Sequence, residues 1–128
     1  MKLLVDTCTF LWVGAGSEDL SPRARDAFLD RTNQRYLSSA SVWEVAIKHA
    51  LGKLALPEKP EHYIPWLRER SGIEPLPIDE DSALCAGRLP RLHNDPFDRI
   101  LVAQAVVHGL TIVTPDHSIS QYAARVLW

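Results

Sequence analysis

Short apolar segments that read as strands alternate with helix-forming stretches from Lys2 to Trp128, and that alternation predicts a layered α/β fold on a mainly parallel sheet. Lys2 to Asp6 is apolar on both faces, as a strand covered on both sides must be. A short helix through Phe10, Leu11 and Trp12 follows, ending near Gly14-Ala15-Gly16. Ser21-Pro22 pairs a capping side chain with proline at the first helical position and opens a helix over Arg23 to Asp30. Tyr36-Leu37-Ser38 reads as the second strand, and Ser39 to Leu51 as a helix stopped by Gly52. Pro57, Pro60 and Pro65 punctuate the middle, where Tyr63, Ile64, Trp66 and Leu67 predict a helix ending at Ser71-Gly72. Pro75 and Pro77 push any strand in Ile73 to Ile78 toward a sheet edge. Helices are then expected over Asp79 to Gly87 and Pro96 to His108, with a loop over Pro90 to Asp95 between them. The β-branched run Leu110 to Thr114 is the clearest strand; a small helix over Ser118 to Ala124 and a last strand, Val126 to Trp128, follow it.

The 128 residues are expected to form one domain, because a single core organises about 100–150 residues. Two cysteines, Cys8 and Cys85, are too few for a disulfide framework and point to a reducing compartment. The opening Met1-Lys2-Leu3-Leu4-Val5-Asp6 lacks the apolar length of a signal peptide. No run approaches the ~20 apolar residues that span a bilayer. A cytoplasmic protein with no membrane partner is the expectation. The net charge of -2 advertises no nucleic-acid partner by a global positive field, yet a local patch or bound metal can supply positive charge.

Ligands in open α/β sheets sit outside the carboxyl ends of the strands. Asp6 ends the first strand and Asp116 lies two residues beyond Thr114, so both are expected at one rim. Glu44 interrupts the apolar helical stretch Ala40 to Ile47, and Asp95 and Asp98 flank the start of the helix from Pro96, one turn apart. Taken singly, each acid has a structural use: a turn at Asp6, an i,i+4 pair of Glu44 with Lys48, helix caps at Asp95 and Asp116, a favourable dipole position for Asp98. Taken together, carboxylates gathered without matching cations repel one another. A divalent ion relieves that repulsion, and oxygen ligands favour Mg²⁺ or Mn²⁺.

The segments Leu3-Leu4-Val5-Asp6-Thr7, Ser38 to Lys48, Asp95-Pro96-Phe97-Asp98-Arg99 and Thr111 to Asp116 together resemble the PIN-domain ribonucleases, above all the VapC-type toxins of prokaryotic toxin–antitoxin pairs. The resemblance covers essentially the whole chain and implies a PIN-like three-layer α/β/α domain over residues 1–128. It implies a Mg²⁺-dependent endoribonuclease whose core acids are Asp6, Glu44 and Asp98, with Asp116 the fourth. Asp98, which directly precedes the apolar helix, is aligned with the third acid, leaving Asp95 as a supporting residue or a cap only. Pro115 departs from the polar or basic residue usual between the threonine and the fourth acid. The implied partners are RNA, with transfer RNA plausible, a VapB-type antitoxin and a second copy in a homodimer.

A carboxylate-held Mg²⁺ activates water and stabilises charge during phosphodiester hydrolysis, with Asp6 and Asp98 as direct ligands and Glu44 and Asp116 completing the site. Thr7, Ser38 and Thr114 stand beside the acids, either holding carboxylates or ending strands. Arg99 and Lys48 are candidates for substrate phosphate or for ion pairs, and His93 is the histidine nearest the rim. Cys8 reads as a small packed residue, since no base partners it in sequence. Trp12, Trp43, Trp66 and Trp128, with Phe10 and Tyr63, read as core or interface residues in preference to base-stacking platforms, and a groove involving Phe10, Trp12, Tyr63 or Trp66 is expected for the antitoxin tail. Two rivals remain. A catalytically inactive PIN-like module binding RNA or protein would be expected to have lost acids. A phosphoaspartyl phosphatase would carry an acid where Cys8 stands, and a receiver would carry paired acids near the first strand and a lysine after a late one.

Overall fold

Five strands and seven helices alternate along residues 1–128, all of which the computed structural model describes. They are β1 (Lys2–Val5), α1 (Thr7–Ala15), α2 (Pro22–Leu29), β2 (Gln34–Ser38), α3 (Ser39–Ala50), α4 (Pro60–Arg70), β3 (Ile73–Leu76), α5 (Glu80–Arg88), α6 (Pro96–His108), β4 (Thr111–Val113), α7 (His117–Ser120) and β5 (Arg125–Leu127). The strands lie in the order β3-β2-β1-β4-β5, and every pairing is parallel. From β1 the chain winds outward to β2 and β3, then crosses back to β4 and β5. The reversal falls between β1 and β4, where a doubly wound sheet leaves a crevice at its carboxyl edge.

Strand alternation builds the layers. Leu3 and Val5 of β1 face a core with Leu37, Val113 and Leu127, filled from the helices by Phe10, Phe28, Val45, Ile64 and Leu67. Leu4 points the other way, into a second core with Ile112, Leu101, Val102, Ile119 and Tyr122. A strand with both faces covered has no polar position to spare, which is why Leu3-Leu4-Val5 is apolar without a break. α5 lies outside this pair of cores and packs on α6 through Cys85, Ala86 and Ala103.

The edge position expected for the proline-bearing strand is the one β3 takes, with Pro75 opposite Leu37. Other boundaries differ. β4 is assigned only to Val113: the amide of Thr114 still bonds the carbonyl of Leu127 in β5, and Pro115, which has no N–H, follows while the Thr114 hydroxyl turns toward Asp6. The last helix ends at Ser120 instead of reaching Ala124: Arg125 must be extended to pair with Thr111, and that pairing overrides the helix-forming Gln121 to Ala124. α4 continues through Pro65, with Tyr63, Ile64 and Leu67 buried around it. No helix is long and apolar enough to cross a membrane.

One close approach depends on a missing side chain. A methyl group on Gly14 would overlap the hydroxyl of Tyr63 and lie 2.6 Å from a methyl of Leu67, and both of those residues are buried. Gly14→Ala is therefore expected to lower stability by about 1–3 kcal/mol. Urea unfolding measures it, and an unchanged midpoint would show that α4 yields freely.

Candidate active site

The carboxyl edge at the β1–β4 reversal opens into a cavity of about 400 Å³ lined by Asp6, Glu44, Asp95, Asp98 and Asp116. Residues far apart in sequence meet there because strand ends and helix starts share that rim. Asp6, Asp95 and Asp116 are the N-caps of α1, α6 and α7, each accepting a backbone N–H through one oxygen: Thr9 at 2.8 Å, Phe97 at 2.9 Å and Ser118 at 2.8 Å. The capping reading of these three acids holds, and each of them also lines the cavity. A helix start offsets part of the charge of its carboxylate, and a cap engages only one of two oxygens.

Asp6 is the most buried of the five, at 5% exposure. Its second oxygen accepts the hydroxyl of Thr114, whose oxygen in turn accepts the amide of Asp116 at 3.0 Å. Thr114 therefore ties the first acid to the fourth. Glu44 is held from two sides, by the hydroxyl of Thr7 at 2.6 Å and by the ammonium of Lys48 at 2.8 Å. That contact, with the charges of Asp95 and Asp98 behind it, pushes the Lys48 pKa up. Ser38 lies apart from the acids: its buried hydroxyl accepts the amide of Ala40 and caps α3.

Asp98 shows the crowding most clearly. Burial, then the neighbouring charges of Asp95 and Asp116, push its carboxyl up to about 6, against the opposing pull of His93, whose Nε2 lies 2.9 Å from Oδ2. His93, Asp95 and Asp98 each bring a ligand atom to within 4.8 Å of the others. Asp6 and Glu44 line the same cavity as Asp95 and Asp98, whereas His93 borders a neighbouring one. Only Lys48 and Lys53 line the cavity as cations against five carboxylates. Hard oxygen donors in excess of local positive charge fit a small divalent cation, with the Asp98 oxygen left free by His93 among the donors.

Lys53 was not among the residues singled out from sequence. Gly52, with φ of 70°, turns the chain back at the end of α3 and sets Lys53 and Leu54 on the cavity wall, and that glycine was the available signal. Arg99 is oriented away from any acid: its guanidinium donates to the carbonyls of Ala86, Leu89 and Pro90 and to the Tyr122 hydroxyl, tying the α5–α6 loop to α6. Cys8 donates its thiol toward both oxygens of Asp6, at 3.3 and 3.4 Å. Burial, then the Asp6 charge, pushes that thiol up to about 12, which disfavours the thiolate a nucleophile requires. Of the four aromatic residues expected in a groove, Phe10 is wholly in the core. Tyr63 and Trp66, stacked with ring centroids 5.9 Å apart, instead border a separate cavity with Gly14, Pro57 and Glu58.

A doubly wound parallel sheet with acids from four segments gathered at its switch point defines a three-layer α/β protein with a carboxylate-rich cavity. The chain belongs to the PIN-domain family, whose pattern matches residues 3–125. It is similar to ribonuclease VapC16 of Mycobacterium tuberculosis, 38% identical over 81 residues, a match spanning 57% of each chain and so little more than half the length of that relative. Among solved structures, VapBC2 of Rickettsia felis bound to a promoter DNA fragment superposes with a TM-score of 0.74 at 14% identity, covering 98% of this chain and 97% of that one. The DNA-bound VapBC of Salmonella typhimurium gives 0.67 at 20% identity, covering 98% and 96%. At these identities the superpositions establish the three-layer fold.

Proposed function

We propose that the protein is a Mg²⁺-dependent endoribonuclease, with Mn²⁺ a competent substitute, that acts as the toxin of a toxin–antitoxin pair. The observation that carries this reading is the single cavity that gathers Asp6, Glu44, Asp95, Asp98 and Asp116 against two lysines. Family membership and the ribonuclease relative support the reaction class. Asp6 and Asp98 hold the ion directly, and Glu44 and Asp116 complete its surroundings. A divalent ion held by these residues would supply a more acidic water and charge stabilisation at the reacting phosphoryl group. Thr114 fixes the orientation of Asp6, Thr7 and Lys48 fix that of Glu44, and Glu44 orients the attacking water. Lys48 and Lys53 meet the substrate phosphates, and water adds to phosphorus as the bond to the leaving ribose oxygen breaks.

The solved relatives are VapBC assemblies, which supports a VapB-type antitoxin as the partner, and exposed Leu84, Val106 and Val107 on α5 and α6 suit pairing of two copies. Transfer RNA is the first substrate to try. Incubation of purified protein with RNA in Mg²⁺ or Mn²⁺ is expected to yield discrete fragments, and EDTA is expected to stop their formation. Cleavage that persists in EDTA would remove the metal from the mechanism, whereas RNA bound intact in either ion would mark an inactive binding module.

A further inference from the structure

Trp43 is the most exposed of the four tryptophans, at 63%. Trp12 packs on Trp128 with centroids 5.7 Å apart, and Trp66 has Tyr63 stacked on it and the Arg70 guanidinium 5.4 Å from its ring centre. Trp43 has no such flat partner. Phe97 meets it at 5.5 Å and 71°, edge to face, which braces the indole without lying parallel to it. The pair joins α3 to α6, and the residues that follow Trp43 and Phe97, Glu44 and Asp98, line the cavity, so the indole stands at the junction of the two helices that carry those acids. Lys48, one turn beyond Glu44 on α3, and Lys53, just past the end of that helix, are the cavity's two cations and complement a phosphodiester backbone. An exposed indole at the junction of two helices that carry cavity acids has the makings of a base-stacking platform, which serves only bases free of a helix.

We propose that Trp43, braced by Phe97, stacks on an unpaired base next to the phosphate being cleaved. This rests on the ribonuclease reading. The test uses the full chain and its Trp43→Ala and Trp43→Phe variants with a short labelled single strand of mixed sequence and the same strand annealed to its complement. Binding is read by anisotropy in Ca²⁺, cleavage of the same RNA on gels in Mg²⁺ or Mn²⁺, and assembly by sedimentation. Trp43→Ala is expected to weaken single-strand binding roughly tenfold. Trp43→Phe should retain most of the affinity, with duplex binding and sedimentation unchanged.

Wild-type affinity in Trp43→Ala would overturn the proposal. So would a lower sedimentation coefficient with equal weakening on both RNAs, which would make Trp43 a contact between copies. Cleavage with no Trp43 effect sinks the stacking site and spares the ribonuclease reading. Trp43-dependent binding without cleavage does the reverse, and absence of single-strand binding overturns the stacking site outright.

Discussion

Asp6→Asn is expected to leave the protein folded and to lower RNA cleavage by about a thousandfold or more, the rate equivalent of the several kcal/mol that a well-held ion contributes. The side chain has two separable tasks. One oxygen caps α1 through the amide of Thr9, and asparagine keeps that contact because its carbonyl oxygen accepts equally well. The other oxygen accepts the Thr114 hydroxyl, and an amide nitrogen in that position cannot. The fold should lose about 0.5–2 kcal/mol from this one contact, leaving the circular dichroism of the native state unchanged. The site loses a charge the ion needs. Multiple-turnover cleavage of RNA in Mg²⁺, compared at equal folded fraction, checks it; activity within tenfold of wild type would remove Asp6 from the site.

The capping and metal readings looked like alternatives from sequence because each acid was weighed by its local context. In the fold Asp6, Asp95 and Asp116 each cap a helix and line the cavity at once. Helix starts follow strand ends at the rim of a doubly wound sheet, so a residue at that junction both caps and faces the crevice, as Asp6 does after β1. Strand and helix identities were legible for a related reason: Leu3-Leu4-Val5 and Ile112-Val113 are buried on both faces, and local apolar runs report that directly. Contacts across the chain were not. Thr114 reaches Asp6 over 108 residues and Thr7 reaches Glu44 over 37, and no local pattern encodes either pairing. The role of Arg99 was hidden likewise, because backbone carbonyls are present at every position and leave no side-chain signature. The last helix was overestimated because strand pairing at Arg125 outweighs the propensity of Gln121 to Ala124.

Asp98→Asn is expected to stabilise the metal-free protein near pH 7.5 while abolishing its affinity for Mg²⁺ and Mn²⁺. Burial and the charges of Asp95 and Asp116 raise the Asp98 carboxyl from its ordinary 3.8 to about 6, so the folded state prefers it protonated. A carboxyl raised on folding favours the fold below its unfolded pKa, and that advantage disappears as pH climbs through the folded value. Between pH 4 and 6 the wild-type protein therefore loses stability on account of this group, and above pH 6 it carries the whole penalty. The shift corresponds to about 3 kcal/mol at most. With 16% of the side chain open to water, screening reduces this to about 1–2 kcal/mol. Asparagine removes the charge and its repulsion and can still pair with His93, so the gain should appear at pH 7.5 and vanish at pH 4. Urea unfolding in EDTA at both pH values, with titration calorimetry of each ion, measures the two effects together. Bound cation supplies in the wild type what the substitution supplies by neutralisation, so added Mg²⁺ or Mn²⁺ should stabilise the wild type and not the variant. An asparagine variant that is no more stable at pH 7.5 than the wild type, or that still binds the ion as tightly, would mean that Asp98 is not the crowded ligand of this cavity.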